Sequence, residues 1–548
     1  MKRNSKSLLA LLVAMLMFVS VFAGCGTTPP VASESASVEA SESAAPAESS
    51  VEASVEASVE ASVEASVEAT PEAAPALAEY EIVYYMLANT ISKDVGMIQT
   101  KLSELVKAKI NATVSIVMLD WATVTDKFNT AINAGEKMDI AFTADWSTPS
   151  YVDSVANGYF LALNDPADNL LEKYAPETVK ALGEGFIVGS QIGGVNYAVP
   201  TDKEFAVNGG LVWNKDLADK YGFDLTKVKT LADLEPMLKI IKEKEPTIQP
   251  FLTASNGFVI PFSDLSGGAN IGINYADVTD KTMKHYWEMP ELIAHAKECK
   301  KFYDAGYISK DSSTTNNKYN DHILAGDFFV TEQPLKPGKG KSTELMAAAG
   351  NKFKLDEADW TPYVAVSMHA GGSMLAIPKT SGDPARAMMF INLLHTDADI
   401  ANLLVWGIEG THYKNIGVSP IGEKIVEALP DNAWTSAALP WTLGSVYIHW
   451  LGSNEPTNKH ELFQLSKTQS KPHITLGYRF TKKADFQPQY AALASVMTEF
   501  DQQLAVGAAK DFDATYKKFM DSLKAAGLDT VKAALQTDLD AFVTKMGR

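Results

Sequence analysis

Apolar positions along this chain change their spacing in a regular order. They run as a strand over residues 80–86, recur every three or four residues over 95–109, and alternate over 113–119. An amphipathic helical pattern follows at 125–134 and a compact apolar strand at 138–143. Spacings near 3.6 predict helix and spacings of two predict strand, so the order is βαβαβ, the signature of a parallel sheet covered by helices. Ligands of such sheets gather at the carboxyl ends of the strands. The loops after Met86, Leu119 and Thr143 are therefore expected to face a crevice.

The rhythm resumes after a break. A turn at Gly193-Gly194 leads into a strand ending at Pro200, and residues 209–213 read as another strand. Helices of a second lobe are predicted over 231–242 and 292–303, and a strand over 373–378 is expected to return to the first lobe. Asp383-Pro384 opens a helix over 385–394, with a capping carboxylate before a proline whose missing N–H costs nothing there. Helical patterns over 490–504, 512–525 and 531–544 close the chain. The roughly 470 residues after the spacer exceed one core, so at least two lobes are expected. More than one crossing between them would make a hinged clamp.

The first 78 residues are of another kind. Lys2, Arg3 and Lys6 precede an apolar run from Leu8 to Phe22, the layout of a secretory signal. Phe22-Ala23-Gly24-Cys25 resembles the lipobox of bacterial lipoproteins, which implies acylation of Cys25 and a body tethered outside a membrane. The alternative is an ordinary cleaved signal with a spectator cysteine. From Gly26 to Ala78 the chain is nearly all Ser, Ala, Glu, Val, Thr and Pro, with tetrads starting at Val51, Val55, Val59, Val63 and Val67. Its glutamates meet no Lys or Arg, so it reads as a self-repelling spacer with a coil dimension on the order of 40 Å.

Charge narrows the function. Of the net −19, ten spacer glutamates and the three early basic residues account for −7, leaving a moderately acidic body at −12. With no basic stripe, nucleic acid is not an expected partner. No apolar stretch beyond the signal is long enough to cross a bilayer. Cys299, the second of two cysteines, falls in a helical pattern and reads as a small buried hydrophobe.

Several segments in this order resemble the extracellular solute-binding lipoproteins of carbohydrate ABC importers, in a large Gram-positive branch with an extra C-terminal region. They are Leu119-Asp120-Trp121, residues 133–143 (Asn-Ala-Gly-Glu-Lys-Met-Asp-Ile-Ala-Phe-Thr), Tyr197-Ala198-Val199-Pro200, Asn214-Lys215-Asp216-Leu217, residues 220–224 and residues 407–413. The resemblance implies a two-lobed, periplasmic-binding-protein-like (type II) α/β clamp with additional C-terminal helices. It would close on a sugar or short oligosaccharide and deliver it to a permease pair. The expected segments are a signal at 1–24, a lipidated cysteine and spacer at 25–78, lobe 1 at 79–200, lobe 2 at 201–370, a return to lobe 1 at 371–415, and a shared C-terminal region at 416–548. A monomer needing neither metal nor cofactor is expected, lipid-anchored on the outer face of the cytoplasmic membrane.

A pyranose offers rim hydroxyls and a flat C–H face, so its binder needs aromatic platforms with carboxylate and amide partners. Asp145 and Trp146 follow an apolar strand where the sheet argument puts ligand; a loop cap and a packing residue are their alternatives. Glu204 lies past Pro200 at the expected hinge, where related sugar binders present a carboxylate, and Asp202 before it competes with a turn role. Trp441 resembles the aromatic that this family sets against the sugar, with interlobe packing as the alternative. Glu409 and His412 are three apart and would meet on one helical turn, where a structural network competes with ligand contact. Leu443-Gly444-Ser445 departs from the Gly-Asn of many relatives, a shorter hydroxyl replacing an amide.

Two other classes compete. A glycoside hydrolase needs two carboxyls at a set separation, which spacing alone does not show. No His-Glu-x-x-His, Gly-x-Ser-x-Gly or paired-cysteine motif is present. His285, His295 and His322 read as surface or helix residues. A cell-wall carbohydrate-binding protein fits the tether but not the repeated α/β pattern.

Overall fold

The structure, a computed structural model, describes residues 77–548 apart from 148, 254–258, 314–316, 350–351 and 431. The signal, Cys25 and the spacer up to residue 76 lie outside the described residues.

The first lobe is built on β1 (Tyr80–Ala88), α1 (Val95–Ile110), β2 (Ala112–Asp120), α2 (Val124–Ala134) and β3 (Ile140–Thr143). β1 pairs in parallel with β2 from Tyr80 opposite Ala112 to Ala88 opposite Asp120, and in parallel with β3 through Tyr84 and Ile140. Right-handed crossovers through helices favour this parallel order. Strand Met374–Ala376 then adds antiparallel to β3, and Ala198–Pro200 adds antiparallel to that. The expected return to the first lobe is thus a real strand, shortened at both ends. Helix α1 buries Ile98, Leu102, Val106 and Ile110, one residue per turn. Its polar neighbours cover the sheet edge: Ser103 Oγ accepts from Val114 N–H and Gln99 Oε1 from Ile116 N–H. An edge strand whose N–H groups are already bonded offers no template for aggregation.

The expected β3 start at Met138 moves to Ile140 because Asp139 does other work. Its buried carboxylate accepts from Tyr80 Oη, Val83 N–H and Ser381 Oγ, tying β1 to the segment that leads into helix Pro384–Thr396. That helix starts as expected, with Asp383 accepting from Arg386 N–H at 2.9 Å and proline inside the first turn.

The second lobe holds a four-stranded sheet ordered Leu355–Asp359, Gly209–Asn214, Phe328–Pro334, Gln249–Leu252. The helix expected over 231–242 divides. Leu231–Leu234 is a 3-10 turn capped reciprocally by Thr230 and Asp233, and the α-helix runs Glu235–Lys244. Pro236, which lacks an N–H, is tolerated only in a first turn, so the α-helix begins around it. Cys299 is fully buried on helix Pro290–Ala305, as its pattern predicts. His285 is not a surface residue: it is fully buried, its Nδ1 caps Trp287 N–H, and burial pushes its pKa down to about 4.

Helices Gln487–Ala505, Phe512–Ala525 and Leu528–Lys545 pack on this second lobe. Phe500, Phe519, Leu535 and Leu539 share one core with Ile271, Ile273, Trp287 and Leu292. Trp287 fixes the junction, donating from Nε1 to Asp501 at 2.6 Å and meeting Phe519 edge-on at 5.9 Å.

Candidate functional site

The carboxyl ends of β2 and β3 open onto tryptophan. Trp121 directly follows β2 and Trp146 lies three residues past β3, and they are 41% and 52% exposed. Trp441, half-buried in the short turn Pro440–Thr442, comes in beside them. The indole centroids are 6.0 Å apart for Trp121 and Trp146, 6.1 Å for Trp146 and Trp441, and 6.3 Å for Trp121 and Trp441. The last pair is nearly parallel, at 15°, and the others tilt by 37° and 41°. Behind them Phe142 of β3 meets Trp441 edge-on at 6.0 Å. An indole left half in water forgoes roughly 2 kcal/mol of burial. Two such rings together mark a surface shaped for a flat, partly apolar guest.

The cluster is held from the crossover at residues 371–373. Trp146 Nε1 donates to Gly372 O at 2.7 Å, and Ser373 Oγ donates to Trp441 O at 3.0 Å. Ser373 also shares a 2.9 Å hydrogen bond with Thr201 at the end of strand Ala198–Pro200. Gly371 O accepts from Asp145 N–H. A Cβ on Gly371 would sit 2.0 Å from Asp145 Oδ2, so only glycine fits.

The sequence-predicted carboxylates are already engaged. Asp145 receives two parallel bonds from Arg479, Nε to Oδ1 at 2.9 Å and Nη2 to Oδ2 at 2.7 Å. Asp202 is 3% exposed, paired with Lys467 at 2.8 Å and reached by Ser445 Oγ at 3.4 Å. Burial raises its carboxyl pKa more than Lys467 and Ser445 lower it. Ser445, where the resemblance implies an amide, therefore serves Asp202. Glu204 is buried against Lys203 at 2.9 Å. Burial alone would raise its pKa, but the Lys203 and Lys336 ammonium groups bring it below the ordinary value.

Glu409 and His412 do not share a helical turn. Gly407 and Gly410 have φ of 81° and 77°, outside the helical region, and break the segment into turns. Glu409 is exposed beside Lys424 at 3.4 Å. His412 is fully buried, with Nδ1 accepting from Ile408 N–H and Nε2 3.4 Å from Asp94. Tyr151, the first residue of the helix Tyr151–Ala156 that follows the loop after β3, is fully buried and donates to Ser190 O.

The structure thus brings Trp146 and Trp441 together, with Asp145 behind them, and adds Trp121. The sheet rule already carried the signal for Trp121, an indole two residues past a predicted strand. Arg479 had none, standing 334 positions from Asp145. Among the described residues no group of three His, Cys, Asp or Glu side chains is placed to hold a metal ion, and no helix is long and apolar enough to cross a membrane.

Comparisons with known proteins agree with this architecture. Residues 102–407 match the family "Bacterial extracellular solute-binding protein", and residues 474–544 match a "Domain of unknown function". A carbohydrate ABC transporter substrate-binding protein of Streptococcus pneumoniae serotype 4 is 26% identical over 447 residues, covering 80% of this chain and 87% of the relative. Among solved structures, the N-glycan transport solute binding protein NgtS of Streptococcus pneumoniae superposes with a TM-score of 0.74 at 24% identity, covering 85% of this chain and 99% of that one. Its complex with Man5GlcNAc gives 0.68 over the same shares. An HMO-binding solute-binding protein of Bifidobacterium longum infantis gives 0.60 at 14% identity, again over 85% and 99%. These neighbours share the two-lobed α/β fold.

Proposed function

Because the chain belongs to the family of bacterial extracellular solute-binding proteins, we propose that it captures an oligosaccharide between its two lobes and delivers it to an ABC importer. The carrying observation is the group of three indoles at the ends of β2 and β3, two of them half in water. Their faces suit the C–H faces of pyranoses, and three plates present more surface than one ring covers.

In this reading Trp121, Trp146 and Trp441 are the platforms. Asp145 acts on ligand only by placing Trp146, while Asp202 and Glu204 hold the hinge in buried ion pairs. Glu409 and His412 frame the turn behind the loop after β1. Closure is driven by whatever contacts the guest makes only in the shut state. The relatives are carriers, and the protein binds without changing covalent bonds. The body is extracellular, tethered as a monomer through lipidated Cys25 and its spacer, and docks on a permease pair.

The test is a thermal-shift and calorimetric screen of residues 79–548 against plant, microbial and N-glycan oligosaccharides. Saturable stabilisation with the glycan recovered intact is expected. Release of new reducing ends would make the protein a hydrolase, and indifference to every glycan would remove carbohydrate as the guest.

A further inference from the structure

Residues 473–486, which lead into the C-terminal helices, touch the first lobe. Leu476 joins the first-lobe core, and an added Cβ on Gly189 would lie 3.1 Å from it. Lys483 reaches Asp153 at 3.3 Å. Arg479 stands midway, nine-tenths buried or more, with its guanidinium 5.4 Å from the Tyr151 ring centroid.

A guanidinium has five N–H donors in a fixed plane, and leaving any of them buried and unpaired is costly. Here all five are used. Besides the two bonds to Asp145, Nη1 donates to Gly189 O at 2.6 Å and Gln191 O at 2.9 Å, and Nη2 donates to Ser367 O at 3.1 Å. One side chain therefore joins the loop after β3, the end of helix Pro176–Gly189 and the crossover that continues through Gly371 and Gly372. Those are the elements that orient Trp146, through Asp145 before it in sequence and Gly372 O bonded to its ring.

We propose that Arg479 is a positioning residue for the carbohydrate platform, and that the C-terminal domain of unknown function acts through it as a strut setting the angle of Trp146. The helices of that domain are packed on the second lobe, so the strut carries the position of one lobe to the aromatic wall of the other. Lysine does not replace it, because three donors on a single nitrogen do not reach five planar acceptors.

This inference rests on the carbohydrate-binding reading, so its test needs one readout free of ligand. Coupled indoles give an exciton couplet in far-ultraviolet circular dichroism, and Trp146→Phe identifies the share due to Trp146. In the full chain, Arg479→Lys is expected to lose that same share while still unfolding cooperatively, and to bind the probe glycan Man5GlcNAc about tenfold more weakly, the scale of one lost positioning contact. The Arg479→Lys/Trp146→Phe double variant is expected to bind no more weakly than Trp146→Phe alone, since the arginine acts through the indole. If Arg479→Lys does not fold, Asp145→Asn is measured in its place with the same expectations. A folded variant with the wild-type couplet overturns the strut. So does a loss of affinity that simply adds to that of Trp146→Phe. If the wild type binds no Man5GlcNAc, the couplet still decides the role of Arg479, and only the choice of sugar is affected.

Discussion

The aromatic wall and the charged hinge are built from opposite materials in opposite surroundings. At the ends of β2 and β3 the chain leaves two indoles half in water, where folding alone would bury them. Around residues 202–204 it buries two carboxylates and a lysine, where solvation alone would expose them. The hinge is internally complete: Asp202 with Lys467, Glu204 with Lys203. The wall is complete only along its back, where Phe142, Gly372 and Ser373 hold it. Buried charges need partners from within, so a satisfied cluster speaks for architecture, whereas exposed and well-held apolar faces speak for a guest.

The comparison breaks most readily at the hinge. Lys467→Met leaves Asp202 buried without its partner and is expected to lower unfolding free energy by about 3–5 kcal/mol in denaturant titration. Glu204→Gln is expected to lower stability while changing glycan affinity less than threefold, on the order of 0.5 kcal/mol. An unchanged unfolding midpoint with a large affinity loss would move Glu204 into the wall.

On the aromatic side, Trp441→Ala is expected to cost at least 2 kcal/mol of glycan binding, about thirtyfold by calorimetry, with the fold retained. Equal affinity would take Trp441 out of the site. Trp121→Ala removes an exposed plate and is expected to weaken binding by about 1 kcal/mol while leaving stability within about 0.5 kcal/mol.

A separate effect is one of pH and lies away from both regions. Glu357, buried on strand Leu355–Asp359, has its pKa pushed up to about 7, first by burial and further by Asp359, against the hydrogen bond from Ser342 N–H. The folded state then holds a proton that the unfolded chain releases near its ordinary value. Its contribution is present in full below about pH 4.5 and is lost as pH rises through about 7. Glu357→Gln is expected to flatten that slope in pH-dependent unfolding; a slope left intact would place the proton elsewhere.

Much of this molecule is legible in its pattern. The βαβαβ order is set by local periodicity, and β1, α1, β2 and α2 fall within two residues of their expected limits at each end. The Asp383-Pro384 start and the three closing helices are equally local, because caps and amphipathic stripes act over a few residues. Trp146 is legible through the sheet rule and Trp441 through family resemblance. The helix at 231–242 fails at Pro236, where a missing N–H outweighs the apolar spacing.

The chain by itself thus determined two things: which segments coil or extend, and at which ends of which strands aromatic rings stand. Only the tertiary structure decided what each carboxylate does. Asp145 and Asp202 meet their cations 334 and 265 positions away, and whether a charge faces a sugar or a buried guanidinium depends on chain returns that no local spacing encodes. Periodicity is a property of neighbours along the backbone; charge pairing is a property of neighbours in space.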